Sequence, residues 1–338
     1  MPMPGCELPG ELLTEQEADR AKSISSSIIK NVEKVIIGKR EAIELALITL
    51  MSEGHLLIED SPGVGKTIFA RCLALSFGCT FKRIQFTADL LPSDITGASI
   101  FNQKSDDFEF RPGPVMAQMV LADEINRATP KVQSALLECM GEHQITVDGS
   151  THLMPTPFHV LATQNPMEYE GTFPLPENQL DRFLVRLTLG YPSDENEIAI
   201  MTSQQFEHPI GGLSSVAGPD DLLWLQAIVK KVFVGEQVKK YIVSVVSATR
   251  RNPEIAIGIS PRGSLGLFRM AQSRAILHGR DYVIPDDIKA LAEAVLAHRL
   301  VLRTGSSSEF GSGQNMVARI LDSVAVPGAR TSFHGSHV

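Results

Sequence analysis

Lys66 and Thr67 close the stretch HLLIEDSPGVGKT (55–67), and an ammonium beside a hydroxyl at the end of a glycine loop is the pairing that grips polyphosphate and magnesium. Backbone N–H groups of Gly63, Val64, Gly65, Lys66 and Thr67 can wrap phosphate oxygens at a helix N-terminus. Lys66 would reach the β- and γ-phosphates, and the Thr67 hydroxyl would hold Mg²⁺. The expected nucleotide contact therefore runs through Ser61, Pro62, Gly63, Val64, Gly65, Lys66, Thr67 and Ile68. One position departs from the usual G-x-x-x-x-G-K-[ST] pattern: Asp60 stands where a glycine is expected. Gly63 and Gly65 lie where backbone must approach phosphate, whereas Asp60 lies where a strand enters the loop. If that position needs a positive φ, aspartate tolerates it better than most residues, and its charge is expected to point away from the phosphates.

Downstream, MVLADE (119–124) is an apolar run ending in two acids. Adjacent strand residues face opposite sides, so the two can do different work. Asp123 is expected to bind Mg²⁺ or its water shell, and Glu124 to orient and polarise the attacking water. VLATQN ends in Asn165, placed to lie near the γ-phosphate and the same water. In ISPRG, Ser260 is the expected N-cap and Pro261 the first helical residue. Arg262 then sits in the first turn, where the helix dipole disfavours a cation, so it should have an anion to meet. A phosphate bound between two domains is the expected one.

These side chains need a scaffold that gathers distant strand ends. HLLIED, AQMVLADE, FHVLATQN and FLVRLTL are short aliphatic runs separated by helical patterns, as expected of a parallel sheet buried on both faces. TIFARCLALSF supplies a helix after the glycine loop, with Phe69, Cys72, Leu73 and Ser76/Phe77 on one side. The chain divides into a helical lead-in (1–33), an α/β domain (34–190), a helical domain (191–304) and a flexible link with a short last helix (305–338). Trp224 is expected in the core of the helical part. The fold class is α/β: a P-loop NTPase with a parallel sheet flanked by helices, followed by a small all-helical lid domain.

At 338 residues, with 43% apolar and 21% charged content, the chain has the composition of a soluble two-domain protein. Apolar runs fall far short of the roughly 20 residues that span a bilayer. MPMPGCELPG has no basic region and no apolar stretch after it, so a signal peptide is not expected and the chain reads as cytoplasmic. Four cysteines lack metal-ligand spacing and are expected to be mostly reduced and buried; nine histidines form no H-E-x-x-H cluster, so no protein-ligated transition metal is expected. A formal charge of −8 argues against a nucleic-acid partner.

Together, LLIEDSPGVGKT, IQFTADLLPSDITG, FEFRPGPV, LADEINRATPKVQSALLECMGE, ATQNPMEYEGTFPLPENQLDRF and SPRG resemble the MoxR family of AAA+ ATPases, over roughly Asn31 to Arg303. An aspartate at position 60 fits that family's own loop. The resemblance implies that Ile37 and Gly38, in VIIGK, touch adenine, that Asn165 is sensor 1 and that Arg262 is sensor 2. It implies that Arg182, in QLDRF, acts as an arginine finger on the neighbouring subunit's ATP, with Arg127 a second candidate for an intersubunit contact. Residues 98–113 match the insert within helix 2 that marks this branch, and ITVDGSTHLMP the hairpin before sensor 1. ATP and Mg²⁺ as cofactors, hexameric rings, a partner with a von Willebrand factor A domain and a chaperone-like action on a protein client are implied likewise.

A nucleic-acid motor and a nucleotide-gated scaffold with little turnover are the rival functions. SDDFEF carries acids and TVDGSTHLMP has no Lys or Arg, whereas a hairpin tracking DNA should carry some. Intact Asp123, Glu124, Asn165 and Arg182 argue against the scaffold.

Overall fold

The computed structural model describes residues 13–104, 106–166, 171–303 and 312–327. Cys6, the first twelve residues of the lead-in, the link at 304–311 and the end of the chain from 328 lie outside the described residues. In chain order the strands are β1 (Leu56–Glu59), β2 (Phe81–Gln85), β3 (Gly97–Asn102), β4 (Asp107–Pro112), β5 (Met119–Asp123), β6 (Gln144–Val147), β7 (Ser150–Leu153), β8 (His159–Gln164), β9 (Val185–Leu187), β10 (Ile255–Ile257) and β11 (Val301–Leu302). Helices α1 (Glu15–Glu33), α2 (Arg40–Met51), α3 (Lys66–Ser76), α4 (Pro92–Thr96), α5 (Pro130–Glu142) and α6 (Glu177–Leu180) accompany the sheet. Helices α7 (Asp194–Ser203), α8 (Pro219–Val229), α9 (Glu236–Arg251), α10 (Pro261–Leu277), α11 (Pro285–Leu296) and α12 (Ser312–Ser323) follow it.

Five parallel strands form the central sheet in the order β2-β5-β8-β1-β9. β1 and β5 are buried at every position because both faces are covered, which is why each reads as an unbroken apolar run. β2 is an edge strand: Lys82 and Arg83 are exposed and only Ile84 is buried. Its charged, short sequence gave no apolar signal, and it was not expected. The order sets the carboxyl ends of β1, β8 and β5 side by side.

Two antiparallel hairpins leave this frame, β3 with β4 and β6 with β7. The first occupies the expected insert. It is not embedded in a long helix, because the five-residue α4 precedes it and residues 113–118 lead through turns straight into β5. Phe110 of one hairpin stacks on His152 of the other at 3.8 Å.

The second part is helical apart from a two-stranded ribbon of β10 and β11. Ser260 and Pro261 open α10 as expected. Cys72, Cys79 and Cys139 are free thiols, buried, and burial pushes each up to about 12. Trp224 packs against the main core as expected but at its margin: it is partly buried, and the Arg20 guanidinium of α1 lies over its ring at 4.1 Å. Among the described residues no helix is long and apolar enough to cross a membrane, and no cluster of metal-binding side chains occurs.

At the amino end of the sheet, His55 and His159 are buried and neutral. Val160 N–H donates to His55 Nδ1 (3.0 Å), so Nε2 donates to the Met140 carbonyl (3.2 Å). His159 Nδ1 donates to the Gly54 carbonyl (2.9 Å) and Nε2 accepts from Gln226 (3.0 Å). Loss of hydration lowers them from an ordinary 6.5 to about 3 and about 4, respectively. The unfolded chain therefore binds more protons as pH falls below about 6.5. Stability is expected to be full above that value and to decline towards pH 3, by up to about 1.4 kcal/mol per pH unit for each histidine. Urea unfolding across this range should show the slope, and a His159→Gln variant should make it shallower while leaving the share of His55.

Candidate functional site

β1 delivers the glycine loop to the carboxyl end of the sheet. Gly63 (φ 86°) and Gly65 (φ 90°) take left-handed conformations, and Gly65 caps α3. No protein atom lies within 4 Å of where a Cβ would sit at either. Conformation, not crowding, requires glycine here, and the open space beside the α3 N-terminus fits a phosphate chain. Lys66 Nζ donates to the Asp60 carbonyl at 2.6 Å.

Asp60 itself does not adopt a positive φ, so the allowance made for one is not needed. Its carboxylate turns sideways, accepting from Ser61 N–H (2.8 Å), Leu189 N–H (2.8 Å) and Gly190 N–H (2.6 Å). It thereby ties the loop to the chain leaving β9. Asp60→Gly is expected to change ATP affinity only a few-fold. It would strand buried N–H groups at about 1–3 kcal/mol each, so the melting temperature should fall clearly. Titration calorimetry beside thermal unfolding separates the two effects.

Asp123 ends β5. Its Oδ1 accepts from Thr163 Oγ1 (2.5 Å), and its Oδ2 lies 3.4 Å from Thr67 Oγ1 and 2.7 Å from the Arg83 guanidinium. Thr67 and Asp123 thus form the oxygen pair that a hard cation needs. Glu124 is not the next residue of an alternating strand. It is left-handed (φ 59°), and this turn, not strand alternation, separates the two acids. Such backbone costs of the order of 1–3 kcal/mol and is held by Glu124 N–H donating to Thr163 Oγ1 at 2.8 Å. Gln85 Nε2 donates to Glu124 Oε2 at 2.7 Å. Asn165 follows β8 and is buried beside these ends. Lys66, Thr67, Asp123, Glu124 and Asn165 are therefore brought together.

A cleft of about 770 Å³ opens between the sheet domain and the helical part, lined among others by Gly38, Lys39, Thr188, Leu189, Glu293 and Ala297. Its size suits a nucleoside. Gly38 takes φ 73°, and any Cβ there would run into the Asn196 side chain, so this wall needs glycine. Ile37 precedes it, half-buried.

Arg182 and Arg262 are elsewhere. Arg182 precedes β9, at the amino end of the sheet, and donates to the Leu137 carbonyl at 2.5 Å. Arg262 lies 3.7 Å from Asp181, not between the domains at the loop, so the anion it meets within the chain is a carboxylate. That corrects the expected placement. Both arginines line one pocket of about 290 Å³ with Arg269 and Arg299, opposed by the acids Asp181 and Glu53. Arg262, Leu265 and Arg269 share an exposed face of α10. Arg127, the second candidate for an intersubunit contact, instead pairs with Glu124 of its own chain at 3.3 Å.

Gly141 makes room for Arg182, since a Cβ there would collide with the guanidinium. Because alanine favours a helix by about 1 kcal/mol, Gly141→Ala should leave stability unchanged or slightly raised. The displaced guanidinium should still lower ATP turnover about ten-fold or more. Melting curves and ATPase rates on one preparation check this.

Sequence reasoning missed Arg83, Gln85, Thr163 and Asp181, which hold the functional side chains from behind. A polar residue within an apolar strand, as Thr163 is in VLATQ, was the available signal.

Residues 55–185 match the family described as ATPase family associated with various cellular activities (AAA), and residues 247–320 match the AAA lid domain. The uncharacterized protein YeaC of Bacillus subtilis is 51% identical, over 90% of this chain and 95% of its own length. Chaperone MoxR1 of Mycobacterium tuberculosis is 44% identical over 88% of this chain and 81% of its own. A crystal structure of a candidate ATPase from Cytophaga hutchinsonii superposes with a TM-score of 0.84 at 38% identity, covering 92% of this chain and 97% of that one.

Proposed function

Because the chain belongs to the MoxR family of AAA+ ATPases, we propose that it hydrolyses ATP with Mg²⁺ in a hexameric ring whose neighbours complete each other's sites, and that this work remodels a protein client. The observation that carries the shared site is the position of Arg182 and Arg262. They sit at the amino end of a sheet whose strand β1 alone spans about 13 Å, while the glycine loop sits at the carboxyl end. Neither can serve its own loop, yet an exposed Arg262 beside a half-buried Arg182, at the corner of an acidic chain, suits a neighbour's γ-phosphate.

Within one subunit, the loop N–H groups and Lys66 bind the phosphates, and Ile37 and Gly38 face the base. Thr67 and Asp123 would hold Mg²⁺, partly through water, and bound there it would neutralise charge on the β- and γ-phosphates. Glu124 and Asn165 orient the attacking water, and Glu124 draws its proton.

A protein client is favoured over nucleic acid by the tip of the first hairpin. Ile100, Phe101 and Phe108 are exposed there, with the two rings edge-to-face at 5.4 Å, beside Asp107 and Glu109. The acids Asp106, Asp107 and Glu109 outnumber the basic Lys104 and Arg111 on this hairpin, and an exposed apolar surface with that balance suits a polypeptide better than a phosphate backbone. A von Willebrand factor A partner belongs to the same reading. Steady-state ATPase is the test: Mg²⁺-dependent turnover unchanged by single-stranded DNA supports it. Strong stimulation by DNA would favour the motor, and binding without turnover the scaffold.

A further inference from the structure

Arg299 follows α11, and its side chain is 3% exposed, almost entirely inside the protein. Its Nη2 donates to the Phe183 carbonyl at 2.7 Å and approaches the Leu184 carbonyl at 3.4 Å. Its Nη1 stands 3.3 Å from Asp181 Oδ1, and among the described residues neither of those two atoms has another partner. Nε donates to the ring of His298 at 3.2 Å. One buried guanidinium thus reaches the residues on both sides of Arg182 without touching it. Burial lowers Arg299 to about 10, against the pull of Asp181, so it remains a cation at neutral pH. A lone hydrophobic contact could have docked the lid here at less cost, since a buried charge is weak at adding stability.

We propose that Arg299 is a positioning residue: reaching from the lid into the 181–184 segment, it fixes the direction in which Arg182 is presented to the next subunit's nucleotide. The proposal rests on reading Arg182 as acting in trans. It also makes the lid of one subunit a control on its neighbour's site, because any lid movement carries Arg299 and so turns the finger.

Mixed rings test this. The reference mixture combines Lys66→Ala with Arg182→Ala, so that activity arises only where an intact loop faces an intact finger. Arg299→Met is then added to one partner at a time. On the Lys66→Ala subunit, which donates the finger, it should lower activity by about 10²-fold, the scale expected for a displacement near 1 Å. On the Arg182→Ala subunit, which donates the loop, it should leave the mixture at the reference level. Equal loss in both arms would make Arg299 a general support of the subunit, and no loss in either would make it irrelevant; both overturn the proposal. A reference mixture that co-assembles but is inactive would instead overturn the trans reading, and this proposal with it. If Arg299→Met subunits do not fold, Arg299→Lys, which keeps the charge but cannot span the same acceptors, replaces it in both arms. Failure of both variants to fold would show a folding role and overturn the proposal.

Discussion

Arg182→Ala is expected to bind ATP with near-normal affinity and to hydrolyse it about 10³-fold more slowly, or worse. Loose phosphoryl transfer states spread charge over the γ-phosphate oxygens, and an arginine supplied from a neighbour is worth roughly 10³–10⁵ in rate in the GTPase cases. Arg182 sits at the far end of the sheet from its own loop, held by the Leu137 carbonyl, so its removal leaves the subunit's nucleotide contacts untouched. It is only half-buried, which keeps the cost to folding small. Equilibrium binding and single-turnover hydrolysis should be measured on the same preparation, with subunit assembly checked by light scattering. Wild-type turnover would remove Arg182 from the reaction. A loss of affinity that accounted for the whole loss of rate would make it a binding residue of its own subunit.

Glu124→Gln should stall the cycle at the same ATP-bound point, but from within the subunit that binds the nucleotide. The amide keeps nearly the same shape and still offers an oxygen to Gln85 Nε2, while the N–H bond to Thr163 is independent of the side chain. What is lost is the charge that draws a proton from water, and general-base removal typically costs 10²–10⁴ in rate. The variant should therefore hold ATP through gel filtration long after the wild type has released ADP, and it should hold a client with it. Rapid hydrolysis by this variant would show that another group supplies the base.

How much of this was legible in the sequence depended on what each residue had to do. Strands buried on both faces announce themselves as aliphatic runs, so β1, β5, β8 and β9 were visible, and with them the residues at their ends. The loop was visible because few sequences other than glycine at 63 and 65 can take its backbone. β2 was not, since an edge strand needs only one buried side and FKRIQ has just that. Arg83 and Gln85, which ride on it, were lost for the same reason. The left-handed turn at Glu124 was hidden because nothing in a glutamate advertises a positive φ. Arg262 was misplaced because an arginine in a first turn signals an anion without saying which; Asp181 supplied it from a part of the chain 81 positions earlier, a distance that spacing rules do not cross.

The first helix packs against α2 and α3 on the sheet side and against α8 and α10 on the lid side, burying Ala18, Ala21, Ile28, Ile29 and Val32. The same continuous core includes Leu56 and Ile58 from β1 and Leu267, Met270, Ile288 and Leu291 from the lid. Two regions that match separate domain families therefore share one continuous core among the described residues. Neither could be excised without exposing a broad apolar face, so a substitution that loosens the shared core should lower the stability of both regions. Change within this architecture is constrained accordingly: a substitution at a buried α1 position such as Ala21, Ile28 or Val32 is felt on both sides of the nucleotide cleft at once, whereas one at exposed Asp19 or Lys22 is not.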